Sequence, residues 1–267
     1  MKKICIDLSA MNTQYKGGVN TYIHGIISGL TKVKSNRVFN IVCTNEIYKS
    51  IKNYKSKNIN FIKITKPLRF YDYFIKVSIL INSTFLYYLL NNLKWQNNTN
   101  ICDQNGDVIY IPTTILNGYN GLKPRIISIH DIQHNHYPEN FSYFELRSRR
   151  IAYDLSIKYS HSIQASSEFI KKDLIKNYKF LKKKFIPVIR EGIDLKKFKI
   201  EKKDKIDNLP KKYLFYPAQL WPHKDHITVL KAFNKIKDNC NIHLIFTGSK
   251  MSSYNEIKNF IEINNLN

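Results

Sequence analysis

Lys224 is the residue of this chain best placed to do chemistry. It lies near the end of the loop Ala218–Asp225, inside KYLFYPAQLWPHKDHITVLKAF, Lys212–Phe233. Tyr213–Pro217 is a short apolar, aromatic run that reads as a buried strand, and from His226 the apolar positions Ile227, Val229, Leu230 and Phe233 recur at helical spacing. A strand, a loop ending in a lysine and a helix can hold a phosphate, because the helix's first N–H groups and the ammonium converge beyond the strand's carboxyl end. An ordinary βα turn with a surface lysine has the same spacing, and spacing alone favours that plainer reading. A second group is Gly17-Gly18, in a loop over Asn12–Asn20 between a strand, Lys3–Ser9, and a helix, Val19–Leu30. A glycine pair lets backbone approach a ligand closely, although a plain turn is the commoner explanation of such a pair. A third is His130-Asp131, which ends the strand Arg125–His130 and is followed by His134, His136 and Pro138. Residues just beyond a strand's carboxyl end line the crevice of an α/β sheet. These side chains could ligate a metal, bond to backbone, or meet a sugar or phosphate; no helix can be counted on to align them for a metal, and Pro138 follows closely.

The elements that must position these groups alternate. Further strands are read at Arg37–Thr44, Ile59–Ile64, Asp107–Ile111, His161–Ala165, Phe185–Ile189 and Asn241–Thr247. Helices are read at Glu139–Tyr159, after the Ser166-Ser167 cap, and at Ser252–Ile263. Phe70–Leu93 reads as one helix with apolar residues almost all round, which favours core packing for most of it over a surface that touches lipid. Its uncharged part, Val77–Leu93, is interrupted by Ser78, Asn82, Ser83, Thr84, Asn91 and Asn92, so it reads as a buried or interfacial helix and not a membrane span. Arg147, Arg149 and Arg150 read as a solvated face, and the lysine-dense stretch Lys171–Lys184 reads equally as a solvated face or as a rest for anionic lipid headgroups.

The net charge of +23 favours anionic partners, but the excess is mostly lysine in a chain also rich in Asn, Ile and Tyr, a bias that AT-rich coding produces too. No nucleic-acid-binding module accompanies the charge, so nucleic acid is not an expected partner. Cys5, Cys43, Cys102 and Cys240 form no CxxC pair and read as small buried hydrophobes in a reducing compartment. The basic start MKKICIDLSAMNTQ has too short an apolar run for a signal peptide.

Five stretches occur in one order along the chain: GGVNTYI from Gly17, IISIHDIQHNHYPENFS from Ile126, ASSEFIKKDL from Ala165, EGID from Glu191, and YPAQLWPHKDHITVLKAF from Tyr216. Together they resemble the retaining nucleotide-sugar glycosyltransferases of the GT-B fold (the family 4-like, group 1 enzymes), and within them a subgroup with a YPAQ-x-WPHK segment. The resemblance implies an α/β protein of GT-B type. It would have a Rossmann-like N-terminal, acceptor-side domain over 1–194, a linker over 195–210, and the start of a second Rossmann-like, nucleotide-sugar-binding domain over 211–267. It implies that Lys224 binds the donor's phosphates. Gln219 stands where most relatives carry arginine, which leaves one cation where they have two. Gly17 and Gly18 would lie across the cleft near those phosphates, and His130 would contact the transferred sugar, with His134 and His136 structural. The resemblance further implies a nucleotide diphosphate-sugar donor, a glycan or lipid-linked acceptor, no metal and no other cofactor. The setting would be cytoplasmic, peripheral on an anionic membrane surface, in cell-surface polysaccharide synthesis.

Relatives also carry a spaced pair of glutamates that hold ribose and sugar hydroxyls. Glu256 and Glu262 are too close together to match and read as a solvated helix face. The stretch 211–267 is short for an autonomous nucleotide-binding domain, so the expectation is a truncated chain or half of a split enzyme. The alternative is a catalytically incomplete subunit that binds a membrane or a partner and transfers nothing.

Overall fold

The computed structural model describes residues 2–11, 17–195, 209–237 and 241–266. The chain divides into two compact units, Met1–Phe198 and Lys199–Asn267. Of the stretch 195–210 expected as a linker, residues 196–208 lie outside the described residues.

In the first unit the apolar runs become strands: β1 (Lys3–Asp7), β2 (Val38–Thr44), β3 (Ile59–Ile64), β4 (Val108–Ile111), β5 (Arg125–Ile129) and β6 (Ser162–Ala165). They form one six-stranded sheet in the order β3-β2-β1-β4-β5-β6. Every pairing is parallel, for example Ile6 opposite Ile41 on one side and Tyr110 on the other. Parallel strands need crossovers, and helices supply them. α1 (Gly18–Lys32) and α2 (Asn45–Ile51) join β1 to β2 and β2 to β3; α3 (Phe70–Leu80) and α4 (Thr84–Asn105) together join β3 to β4; α5 (Gln133–His136) and α6 (Tyr143–Tyr159) join β5 to β6; α7 (Glu168–Asn177) follows β6. Two cores result, as expected of a sheet covered on both faces. Ile6, Leu8, Ile23, Ile27, Ile41 and Ile47 fill one, and Cys5, Val42, Ile109, Ile127, Ile163 and Leu174 the other.

Three expectations need correction. Phe185–Ile189 forms no strand but two isolated bridges, Phe185 to Ser162 and Val188 to Ala165; Pro187 between them has no N–H to continue a ladder. The helix expected from Glu139 starts at Tyr143, because Pro138–Asn140 makes a 3₁₀ turn and Ser142 and Glu145 close a capping box. Phe70–Leu93 is not one helix but two, α3 and α4, broken at Asn82, whose φ is +57°. Nor is it mostly core: Phe70, Tyr73, Leu80, Ile81 and Phe85 are exposed.

α4 runs on to Asn105 because its buried side is largely polar. Asn91 and Asn92 accept from the amides of Gly118 and Tyr119 at 2.9 and 2.6 Å, which pins the loop after β4. Gly118 sits there with φ +73°, and an added Cβ would lie 2.4 Å from the Thr99 hydroxyl. The lysine-dense stretch is partly structural too. Lys184 donates to the carbonyls of Ile157 (2.6 Å) and Ser160, so a cation closes the carboxyl end of α6. Burial pushes its pKa down.

The second unit pairs β7 (Tyr213–Pro217) with β8 (His243–Thr247) in parallel, with α8 (His226–Ile236) and α9 (Tyr254–Ile263) alongside. Leu220, Leu230 and Ile257 are its buried core. β7 was expected to be buried, but Tyr213, Leu214 and Phe215 are each more than 40% exposed. A parallel strand is buried on both faces only where neighbours and layers cover it, and the described residues supply one neighbouring strand. No helix among the described residues is long and apolar enough to cross a membrane.

One buried ion pair ties α4 to the start of β5. Arg125 Nη2 lies 3.0 Å from Asp103 Oδ1, with both side chains largely buried, and Asp103 also accepts from the Leu122 amide at 2.8 Å. Asp103→Ala leaves the guanidinium without its countercharge and should destabilise the first unit by about 3–5 kcal/mol, read from urea unfolding; a loss below about 1 kcal/mol would contradict this role.

Candidate functional site

The strand order reverses between β1 and β4, and ligands of such sheets bind outside the carboxyl ends at that switch point. The first two candidate groups of the first unit are both placed there by the chain. Gly17 is the N-cap of α1, with extended backbone (φ −149°, ψ 177°), and offers no side chain to the helix's first amides. No acidic residue stands in the first turn. A Cβ on Gly17 or Gly18 would meet nothing within 4 Å, so nothing in the described protein demands glycine at either position. His130 follows β5 directly.

His130 is held from two sides. Its Nδ1 lies 2.9 Å from Glu191 Oε1, and the ring stands edge-on to Tyr22 of α1 at 4.9 Å between centroids. In the neutral ring that donates its Nδ1 proton to the carboxylate, Nε2 carries the lone pair. That Nε2 is buried and has no hydrogen-bond partner among the described residues. Beneath the histidine lies a polar cluster: Tyr22 Oη is 2.9 Å from Tyr110 Oη and accepts from Gln164 Nε2 at 2.8 Å. Tyr110 donates to Gln164 Oε1 at 2.8 Å and sits 2.9 Å from Ser128 Oγ. Burial, above all, pushes the Tyr110 phenol well above its ordinary pKa, so it stays a proton donor.

His130 and Glu191 separate two cavities. The smaller, about 430 Å³, is lined by His130, Ala10 and Val19, by Thr113–Ile115 after β4, and by Asp72, Tyr87, Asn91, Lys94 and Trp95 of the α3–α4 hairpin. Lys94 and Asp72 pair within it. The larger is a groove of about 1470 Å³ along the α1 face of β1, β4, β5 and β6, bounded by Tyr22, Gln164, Ile189 and Glu191–Asp194. Asp194 also accepts from Lys32 at 3.1 Å.

The other histidines do not join His130. His136 Nε2 lies 2.7 Å from Asp173 Oδ2 and ties α5 to α7. His134 is fully buried against the edge of Tyr153, 4.6 Å between centroids. The three are thus drawn to three different surroundings, and among the described residues no group of His, Cys, Asp or Glu could hold a metal.

In the second unit Lys224 ends a 3₁₀ turn, Pro222–Lys224, and is exposed. Tyr216 of β7 donates to the Lys224 carbonyl at 2.7 Å, and the Lys224 amide donates to the Trp221 carbonyl at 3.0 Å, so the backbone carrying the ammonium is fixed. Gln219 Oε1 accepts from Trp221 Nε1 at 3.0 Å. The loops after β7 and β8 are zipped together, with the Leu220 amide donating to the Ser249 carbonyl at 3.1 Å; a Cβ on Gly248 would lie 2.2 Å from the Ala218 carbonyl oxygen. The helix end behaves differently from expectation. Asp225, at φ +49°, caps α8 with its own carboxylate, accepting from the Thr228 amide at 3.2 Å. One of the N–H groups expected to face a phosphate is therefore taken, by a group of the phosphate's own sign.

No protein-family model and no curated protein matches this sequence. Solved structures do. A glycosyltransferase from Rickettsia africae superposes with a TM-score of 0.59 at 16% identity, covering 99% of this chain and 66% of that one. A TarM variant from Staphylococcus aureus, solved with Fondaparinux, α-GlcNAc-glycerol and UDP, gives 0.55 at 13% identity over all of this chain and 76% of its own. This chain has the GT-B fold. A Listeria monocytogenes protein described as a UDP-N-acetylglucosamine 2-epimerase also superposes, with a TM-score of 0.53 at 13% identity, over 98% of this chain and 66% of that one. The chain thus spans just under two thirds of the Rickettsia and Listeria proteins, and at these identities the likeness speaks for the fold alone.

Within this GT-B chain, sequence reasoning missed Glu191, which stood out only as the first residue of the EGID stretch. It also missed the cluster of Tyr22, Tyr110, Ser128 and Gln164, two of which lie in the motif stretches but none of which any local rule joins to the others. A hydroxyl or amide at the next-to-last residue of three different strands is the one signal that could have found it.

Burial holds the His134 pKa down to about 4, so the folded state keeps this ring neutral where the unfolded chain protonates it. The unfolded state then binds more protons between about pH 6.5 and pH 4, and stability falls as pH falls through that window. The expected loss is about 1–3 kcal/mol, absent in His134→Phe; equal pH slopes of unfolding free energy in the two proteins would refute it.

Proposed function

We propose that this chain transfers a sugar from a nucleotide diphosphate-sugar to a hydroxyl of a glycan or lipid-linked acceptor, with retention at the anomeric carbon, in cell-surface polysaccharide synthesis at the cytoplasmic face of a membrane. The observation that carries the proposal is the His130–Glu191 pair at the sheet's switch point, its Nε2 without a hydrogen-bond partner among the described residues, at a cavity that His130 lines together with a lysine, a carboxylate and aromatic rings. The GT-B fold supports it, since among the structures that share it are glycosyltransferases, one of them solved with UDP. Retention and the donor class rest on the resemblance in the motifs. The cytoplasmic setting is in keeping with Cys5, Cys43 and Cys102, all buried as free thiols.

The stretch 1–194 is the acceptor side in this reading, and 211–267 contributes to the donor side. Departure of the nucleotide leaves negative charge on its diphosphate. Lys224 and the first amides of α1 after Gly17-Gly18 answer that charge, which grows between the bound donor and the transition state. Gln219 adds a hydrogen bond without charge. His130 Nε2 accepts a hydrogen bond from a sugar hydroxyl and fixes the reactive carbon against the acceptor, while Glu191 fixes the ring. No metal is needed to neutralise the leaving group in this arrangement.

The test is release of nucleoside diphosphate by the purified chain from a panel of nucleotide sugars with and without soluble acceptor. Lys224→Ala should cut turnover roughly 10²-fold; wild-type turnover in that variant removes the lysine from the mechanism. Glu191→Ala should lower kcat roughly 10-fold with little change in the donor's KM, because the histidine keeps its contacts and loses its aim. Binding of a nucleotide sugar with no transfer to any acceptor would favour the catalytically incomplete subunit instead.

A further inference from the structure

Lys94 of α4 and Asp72 of α3 pair inside the smaller cavity, and among its described lining residues they are the only groups with a formal charge. Their charges cancel. A cavity in a chain of net charge +23 therefore presents no net charge to what enters it. Asp72 keeps 46% of its side chain exposed and Lys94 only 15%, so the carboxylate is the more accessible half. The pairing uses Asp72 Oδ1, and Oδ2 accepts from nothing among the described residues. The ammonium also lies 5.4 Å from the centre of the Trp95 ring, and it has three N–H groups for one carboxylate oxygen.

Such a pair offers a hydrogen-bond acceptor and a donor side by side. Adjacent hydroxyls of a sugar ring match it, because each hydroxyl both donates and accepts, and bonds to charged partners are the stronger kind. Ile75, Tyr87 and Trp95 on the same wall suit the C–H edges of that ring. An anionic group fits badly. A lone lysine would attract a carboxylate or phosphate, but here the approach to the ammonium brings the anion against Asp72, and like charges set side by side reject a partner. The volume of about 430 Å³ lies low in the range of about 300–1,000 Å³ for small-molecule sites, which suits a short sugar and not a long chain. Nor is the pair needed to close the hairpin at its turn. There the Ser83 amide donates to the Ser78 carbonyl at 2.9 Å, and the Ser83 hydroxyl caps α4.

We propose that Asp72 and Lys94 bind adjacent hydroxyls of an uncharged pyranose and make this cavity selective against rings that bear a carboxylate or a phosphate. The selectivity belongs to the cavity alone. That the bound ring is the acceptor's terminal residue rests on the sugar-transfer reading, in which His130 on the same cavity holds the transferred sugar.

Titration of the full chain with methyl pyranosides of glucose, galactose and mannose, and with the matching uronates, tests the selectivity without any donor. The chain has two tryptophans, so the indole resonance that persists in Trp221→Phe reports Trp95 at the cavity. In the wild type at least one neutral pyranoside should shift that resonance, and its uronate should bind at least about 10-fold more weakly. Asp72→Asn leaves the ammonium without its countercharge, so the uronate should bind at least about 10-fold tighter than to wild type while the neutral ring binds more weakly. Lys94→Met keeps much of the stem's packing and should lose the neutral ring without gaining the uronate. Both variants melting lower with the neutral-to-uronate ratio unchanged would mean a mere clamp between helices and overturns the proposal. So does a wild type that binds no neutral pyranoside at millimolar concentration, or one that binds the uronate as tightly; this wild-type comparison stands even where a variant fails to fold. Sugar transfer by a chain without the selectivity would sink this inference and spare the sugar-transfer reading, and selective binding without transfer to any acceptor would do the reverse.

Discussion

Four polar side chains under His130, Ser128 and Gln164 buried and Tyr22 and Tyr110 half-buried, hold the site in shape. Tyr22 belongs to α1, Tyr110 to β4, Ser128 to β5 and Gln164 to β6, and their mutual hydrogen bonds span a helix and three strands. Gln164 also donates to the Ile189 carbonyl at 3.3 Å, two residues before Glu191. Such a cluster is worth having only when complete, because each member lost leaves a buried neighbour unsatisfied at about 1–3 kcal/mol. Its reward is orientation. The face of Tyr22 that meets the His130 ring and the backbone that delivers Glu191 to Nδ1 are both fixed by the same few hydrogen bonds.

The sheet's parallel topology explains why these parts meet. Parallel strands point all their carboxyl ends at one edge, so the loops after β1, β4 and β5 are neighbours although they are distant in sequence. The connection from β3 to β4 crosses the sheet to its other half, and it does so as a helical hairpin and not a single helix. That choice leaves a hairpin with an inner side on the cavity and an outer side on solvent, where Phe70, Tyr73 and Phe85 are exposed.

Much of this was legible in the sequence. The strands are runs of Ile, Val and Cys bounded by turn residues, so all six of the first sheet could be located, Ile59–Ile64 to the residue. His130 was legible as the residue after a strand. What failed did so where polar side chains do the work of apolar ones. α4 buries Asn91, Asn92, Asn98 and Thr99 alongside Trp95 and Cys102, so a search for apolar periodicity stopped at Leu93, twelve residues early. The break at Asn82 was hidden for the opposite reason: apolar residues continue through it, and only a left-handed φ, which asparagine tolerates, betrays it. Glu191 could not be paired with His130 by any local rule, since sixty-one residues separate them.

The two strand–loop–helix turns that sequence presents as equivalents are not electrostatic equivalents. At α8 the capping position holds Asp225, whose carboxylate takes the Thr228 amide and adds a negative charge just where the helix dipole would welcome an anion. At α1 the same position holds Gly17, the first turn has no acid, and open space lies beside both glycines. An incoming phosphate is therefore repelled by one helix end and attracted by the other. Lys224 is then a point charge in its own right, its backbone anchored by Tyr216 and Trp221. Where relatives by motif pair such a lysine with arginine, this chain has Gln219, whose oxygen already serves Trp221. The positive field for a diphosphate thus has fewer fixed sources in 211–267 than the letters YPAQLWPHK suggest.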